Sequence, residues 1–115
     1  MAKNLLHKNI LYIDILAKAK PAHRKAILST ADRDLIICLC DCAVNILKGN
    51  VLLKAHEYQK LCKAKAHLRQ LAGEKTTIKA RRKILVQKGG FIPALLAPIL
   101  GIAGQLLVEK LINKK

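Results

Sequence analysis

Apolar positions recur at helical spacing along most of the chain. Leu6, Ile10, Ile13 and Leu16 lie three or four residues apart, with Leu5, Leu11 and Ile15 widening the stripe. This predicts an amphipathic helix over 3–19 with a broad buried face. Pro21 ends it, because the residue before proline avoids helical geometry, and then suits the first turn of a short second helix through about Leu28. That helix carries His23, Arg24 and Lys25 on its expected exposed side. Ser29-Thr30-Ala31-Asp32 signals a third helix over 31–48, with a hydroxyl N-cap and carboxylates near the positive end of the dipole. Leu35, Ile36, Ile37, Leu39, Val44, Ile46 and Leu47 fall nearly all round it, so it is expected to be the central buried helix, closed by Gly49. A fourth helix over 54–72 follows from Tyr58, Leu61, Ala64, Leu68 and Leu71, ending at Gly73. Thr76 or Thr77 caps a fifth, over 77–87.

Composition then fixes the class. Two Tyr, one Phe and no Trp leave an aliphatic core, and Leu, Ile and Ala favour helix over sheet. The expectation is an all-α fold of about five helices with an apolar C-terminal segment. At 115 residues there is room for one small domain plus an appendage, and self-association would help so small a core.

Charge changes the picture further. With 22 Lys and Arg against 7 Asp and Glu, the net charge is +15. Such an excess points to a polyanionic partner, either nucleic acid or an anionic membrane surface. The cations are concentrated late in the chain. Lys54, Lys60, Lys63, Lys65, Arg69, Lys75, Lys79, Arg81, Arg82, Lys83 and Lys88 face only Glu57 and Glu74 in the same stretch. Few aromatic residues are interleaved, which argues against stacking on single strands. Lys also predominates, favouring point-charge contacts with phosphate over bidentate base reading. Sequence-independent binding of double-stranded DNA is the expected activity.

The remaining chemistry is sparse. Cys38, Cys40 and Cys42 sit on one predicted helix, too closely spaced for mutual disulfides, and Cys62 on the next. Cys40 points away from Cys38 and Cys42, so buried structural thiols are expected rather than a metal site. Lys3, His7, Lys8 and Asp14 break any secretory leader, and a reducing compartment is the simpler expectation. His7, His23, His56 and His67 lie on polar or mixed faces, and no constellation for catalysis or a cofactor surrounds them. A non-enzymatic protein follows.

At Gln87-Lys88-Gly89-Gly90-Phe91 the pattern switches. Cations precede the glycines, and Phe91 to Val108 are eighteen uncharged residues, with Pro93, Pro98, Gly101 and Gly104 among them. Two glycines between unlike halves predict a flexible, protease-accessible hinge. The expected division is a basic helical domain over 1–88, a hinge at 89–90 and an apolar segment over 91–115. Basic residues, Gly-Gly, two apolar residues, Pro and an Ala/Leu/Ile/Pro/Gly-rich tail resemble the C-terminal part of the adenovirus core protein X (mu precursor) family. Similar tails occur in minor virion proteins of Maverick (Polinton) and adintovirus elements. The resemblance covers residues 79–104. It implies a virion and host-nucleus setting and condensation of viral DNA. It also implies cleavage by an adenovirus-type cysteine protease, which accepts an apolar or amide residue, any residue, then Gly-Gly. Gln87 to Gly90 match, placing the cut before Phe91. The present chain departs from that family in its Lys richness, its apolar periodicity and its cysteines.

The tail is open to three readings. It packs in the domain's own core, enters a membrane, or docks on a capsid protein through residues 91–108. In the last two, Phe91, Ile92, Leu95, Leu96, Ile99 and Leu100 make the contact, with Lys110, Lys114 and Lys115 at a membrane interface. A membrane-active protein using its basic face on anionic lipid is the alternative to a DNA-binding core protein.

Overall fold

Several helix ends are set by a specific residue, among them Asp32 and Thr77 as N-caps, Pro21 in a first turn and Gly49 at a C-terminus. The computed structural model describes residues 3–101, and among them the order is α1 (Lys3–Lys18), α2 (Pro21–Ser29), α3 (Arg33–Leu47), α4 (Ala55–Lys63), α5 (Lys65–Ala72) and α6 (Ile78–Lys88). A 3-10 turn, Gly89–Phe91, leads into residues 92–101, which are helical again. No strand occurs among the described residues, and the fold is all-α.

Pro21 occupies the first turn of α2. The hydroxyls of Ser29 and Thr30 turn back to Lys25 O and Ala26 O, so they belong to the end of α2. Asp32 is the N-cap of α3, accepting from Leu35 N at 2.9 Å. The far end of α3 closes on Gly49, whose φ of +73° suits a residue without Cβ. Gly49 N–H donates to Ile46 O and Asn50 N–H to Asn45 O, the paired bonds of a Schellman ending. The Asn45 amide donates to Asp41 O and accepts from the Asn50 amide, which satisfies a buried polar side chain.

The expected single helix over 54–72 is two. At Ala64 the backbone reaches φ −99°, ψ 13°, and Ala64 N–H bonds to Leu61 O three residues back. No Gly or Pro marks the break. α5 packs along α3 whereas α4 packs chiefly on α5, so the chain has to turn between them.

α3 supplies the centre of the core, packing against α1, α5 and α6, while α2 packs on α6. Two expectations about faces are corrected. Arg24 is buried rather than exposed. Leu11 and Ile15 do not widen the buried stripe of α1, because α1 packs on α3 by the opposite side, through Leu6, Ile13 and Leu16.

The junction departs furthest from expectation. Gly89 and Gly90 do not form a hinge; they turn in right-handed geometry inside a helical run from 78 to 101. By length and composition that run could cross a membrane. Yet Phe91, Ile92, Leu95, Leu96 and Ile99 are buried in the same cluster as α3 and α5, and Leu100 packs at its edge. Phe91 stacks on His67 of α5, with ring centres 6.4 Å apart and planes 11° from parallel. Of the readings for the tail, self-packing holds for residues 91–100; these side chains are withdrawn from lipid or a partner because the core needs their area. Residues 102–115, including the rest of the apolar stretch and the three terminal lysines, lie outside the described residues.

The two glycines are not equivalent. A Cβ on Gly89 would stand 2.8 Å from Cδ1 of Ile92, which is itself fully buried, whereas one on Gly90 would meet nothing within 4 Å. Gly89→Ala is expected to lower stability in urea unfolding by about 1–3 kcal/mol, as overpacking does. Gly90→Ala should leave it unchanged or raise it by up to about 1 kcal/mol. The five large buried side chains from Phe91 to Ile99 stabilise by roughly 1.5–3 kcal/mol each, which rivals the ~5–15 kcal/mol holding a whole domain. A chain ending at Gly90 is therefore expected to lose cooperative unfolding.

Candidate nucleic-acid interface

The cationic stretch folds as three neighbouring helices, with α5 packed between α4 and α6. Each helix turns its apolar stripe inward, through Leu61, then Leu68 and Leu71, then Leu85. The cations are left to solvent in short rows: Lys60 and Lys63 on α4, Lys65 and Arg69 on α5, Lys79 and Lys83 on α6. Spacings of three and four place each pair on one face of its helix. Lys54 precedes α4, Lys75 lies in the α5–α6 turn, and Lys88 ends α6 about half a turn around from Lys79. All nine are exposed, and none is ion-paired among the described residues.

The acids of this region do not offset them. Glu57 is buried, and its Oε1 accepts from Lys54 N at 2.8 Å, completing half of a capping box at the start of α4. Only Glu74 remains at the surface. Among the described residues, the two lysines that form ion pairs are elsewhere, on α1: Lys8 with Asp34, and Lys18 with Asp14 at 2.9 Å.

Arg81 and Arg82 are a correction to the predicted surface. Arg82 Nη1 donates to Leu28 O at 3.1 Å and to Ala31 O at 2.5 Å, tying the end of α2 to α6. Arg81 Nη2 donates to Gly73 O at 2.7 Å, closing the end of α5. Helix ends leave carbonyls without partners, and a guanidinium with several donors in a rigid fork fits them better than an ammonium. Both arginines are half-buried and engaged inside the protein, so they are withdrawn from the predicted phosphate contacts.

Cys38, Cys40 and Cys42 are buried in the core, and Cys62 is exposed. Burial pushes the Cys40 thiol up to about 11, against the opposite pull of Arg81 beside it. Cys42 is held well above its ordinary value by its hydrogen bond to Cys38 and by burial, and the same bond lowers Cys38. Among the described residues no group of three or more His, Cys, Asp or Glu could hold a metal ion.

The residues predicted for protease recognition lie across the α6 end and the 3-10 turn: Gln87, Lys88 and Gly90 exposed, Gly89 and Phe91 buried. The structural roles of Glu57, Arg81 and Arg82 were not anticipated. Glu57 stands at the third helical position of α4, but the residue three before it is Lys54 rather than a Ser or Thr, so the capping-box signature is missing from the sequence. Arg82 meets partners 51 and 54 residues away, for which no local signal exists. Compared with protein families, curated proteins and solved structures, the chain finds no match.

Neighbouring residues should differ in their effect on stability. Arg82→Ala is expected to cost about 1–3 kcal/mol in urea unfolding, because two carbonyls lose their donor. Lys83→Ala, at an exposed side chain, should change stability by no more than about 0.5 kcal/mol. In thiol titration at pH 8 the folded protein should show one fast-reacting cysteine, Cys62, and the unfolded protein all four, since the thiolate is the nucleophile and burial suppresses it.

Proposed function

We propose that this is a non-enzymatic core or minor virion protein that binds double-stranded DNA without reading its sequence and helps to condense it. One observation carries the proposal: nine exposed cations on and beside α4–α6, none of them ion-paired among the described residues. In ordinary surfaces both signs are interspersed. Here the one buried acid serves as a cap, and the two arginines best suited to bidentate recognition are spent on helix ends. What remains is an array of eight lysines and one arginine on rigid helices. Such an array neutralises phosphate and releases counterions, and it offers little with which to distinguish bases.

The virion and nuclear setting rests on the resemblance of residues 79–104 to the core protein X family. In the fold described here, Gln87 to Phe91 is helical and partly buried. A protease that takes an extended Gly-Gly substrate would have to wait for the 78–101 run to open. Intact protein should be cut far more slowly than a peptide of residues 84–96, and resistance of that peptide to an adenovirus-type protease would remove the support for this setting. The membrane reading requires Phe91, Ile92, Leu95, Leu96 and Ile99 to leave the core, so the DNA reading is preferred.

Binding is tested by anisotropy on a short duplex across a salt series. Log affinity should fall linearly with log salt, by about 0.9 per phosphate contacted, and replacing Lys79 and Lys83 together by Ala should reduce the slope by up to about 1.8. Affinity indifferent to salt, or confined to one duplex sequence, would exclude the proposal.

A further inference from the structure

α1 presents two apolar faces, and among the described residues only one of them is covered. Leu6, Ile13 and Leu16 are buried against the rest of the protein, whereas Leu11, Tyr12 and Ile15 are 74%, 53% and 49% exposed. Leu11 and Ile15 stand one helical turn apart on the side of α1 directed away from α3, with Tyr12 beside them. Next to this seam, Ile15, Ala19, Ala26 and Ile27 line an open cleft of about 520 Å³ between α1 and α2, with His23 and the Asp14–Lys18 ion pair also on its walls. Scattered single apolar residues are ordinary on a surface; a seam of three large ones bordering an apolar cleft is a contact face.

Charge decides what occupies it. Both lysines flanking the seam are neutralised, Lys8 by Asp34 and Lys18 by Asp14. The hydrogen bond to Asp34 also holds Lys8 above its ordinary pKa. An anionic lipid surface or an acidic partner would be drawn instead to the unpaired cations of α4–α6. Two copies of a chain with net charge +15 repel, and close approach is least costly where cations are already matched. We infer that the Leu11–Ile15 seam of α1 is a self-association surface, in which two copies pair about a two-fold axis and each seats the other's apolar side chains along this cleft.

A two-fold pairing places the same patch against itself, so one short seam supplies both halves. The patch is small, which makes the dimer weak. α3 lies between α1 and the α5–α6 pair, so pairing through the outer side of α1 leaves the cationic helices of both copies uncovered. On the DNA-binding reading, on which this consequence alone rests, one dimer holds two duplex segments.

The test is sedimentation equilibrium of the full chain without DNA, at 0.15 M and 0.5 M NaCl. A monomer–dimer equilibrium is expected that tightens several-fold at the higher salt, because screening lengths shrink from about 8 Å toward 3 Å as salt rises toward 1 M. Leu11→Gln should weaken it at least tenfold, and adding Ile15→Gln should abolish it. Leu52→Gln, at an exposed leucine off the seam, should change nothing. Leu11 is exposed enough that the single variant retains its fold, checked by thermal unfolding. A chain that stays monomeric at both salts to about 200 μM, or a dimer indifferent to Leu11→Gln, overturns the inference. So does a monomer whose binding to vesicles of anionic lipid is lost with Leu11→Gln, which would give the seam to a membrane. Duplex bridging is measured separately by light scattering: failure to bridge with the dimer intact counts against the DNA-binding reading and leaves the interface standing.

Discussion

The fold depends on burying an apolar segment that its own sequence context advertises as separable. A chain of 115 residues with one Phe and no Trp has little area with which to offset the entropy of ordering. Of the twelve largest fully buried side chains among the described residues, four are Ile92, Leu95, Leu96 and Ile99. The 3-10 turn at Gly89–Phe91 exists to deliver them. Gly89 lets Ile92 approach to a distance that no Cβ would permit, and Phe91 locks the turn onto α5 through His67.

Once those residues are inside, the charge distribution takes its form. The stripes of α4, α5 and α6 must face the core, so the lysines between them are turned out. Helix ends that would otherwise leave carbonyls unsatisfied recruit Arg81 and Arg82. Adjacent cations thus play opposite parts: Arg82 crosslinks α2 and α6, while Lys83 is left to solvent. Acids are likewise divided. Asp14 and Asp34 neutralise α1, and Glu57 caps a helix from inside, so neither mechanism reaches the cations of α4–α6.

The burial of the junction also changes what cleavage there would mean. Cutting after Gly90 would sever a helical run that contributes to the core. If proteolysis occurs, it is coupled to local opening of residues 78–101 and would release a large share of the stability of the whole. A regulated disassembly step and a simple trimming step differ in just this respect.

Local chemistry along the chain determined much of the architecture. Pro21 at the start of α2, Thr77 at the start of α6 and the Gly49 ending follow from interactions spanning five residues or fewer, the all-α class and the central α3 from composition and apolar spacing along whole helices, and each was legible. So were the positions of nine cations, because the helical stripes that bury Leu61, Leu68 and Leu85 also fix which residues face outward. Tertiary structure alone decided the rest. Whether Leu11 and Ile15 are covered depends on which side of α1 meets α3. Whether Arg82 is left to solvent or held by two carbonyls depends on partners more than fifty residues away. Whether Gly89-Gly90 bends freely depends on Ile92 having a core to enter. In each case the residue is compatible with both outcomes locally, and the choice is made by packing between elements distant in sequence, which no short window of residues encodes.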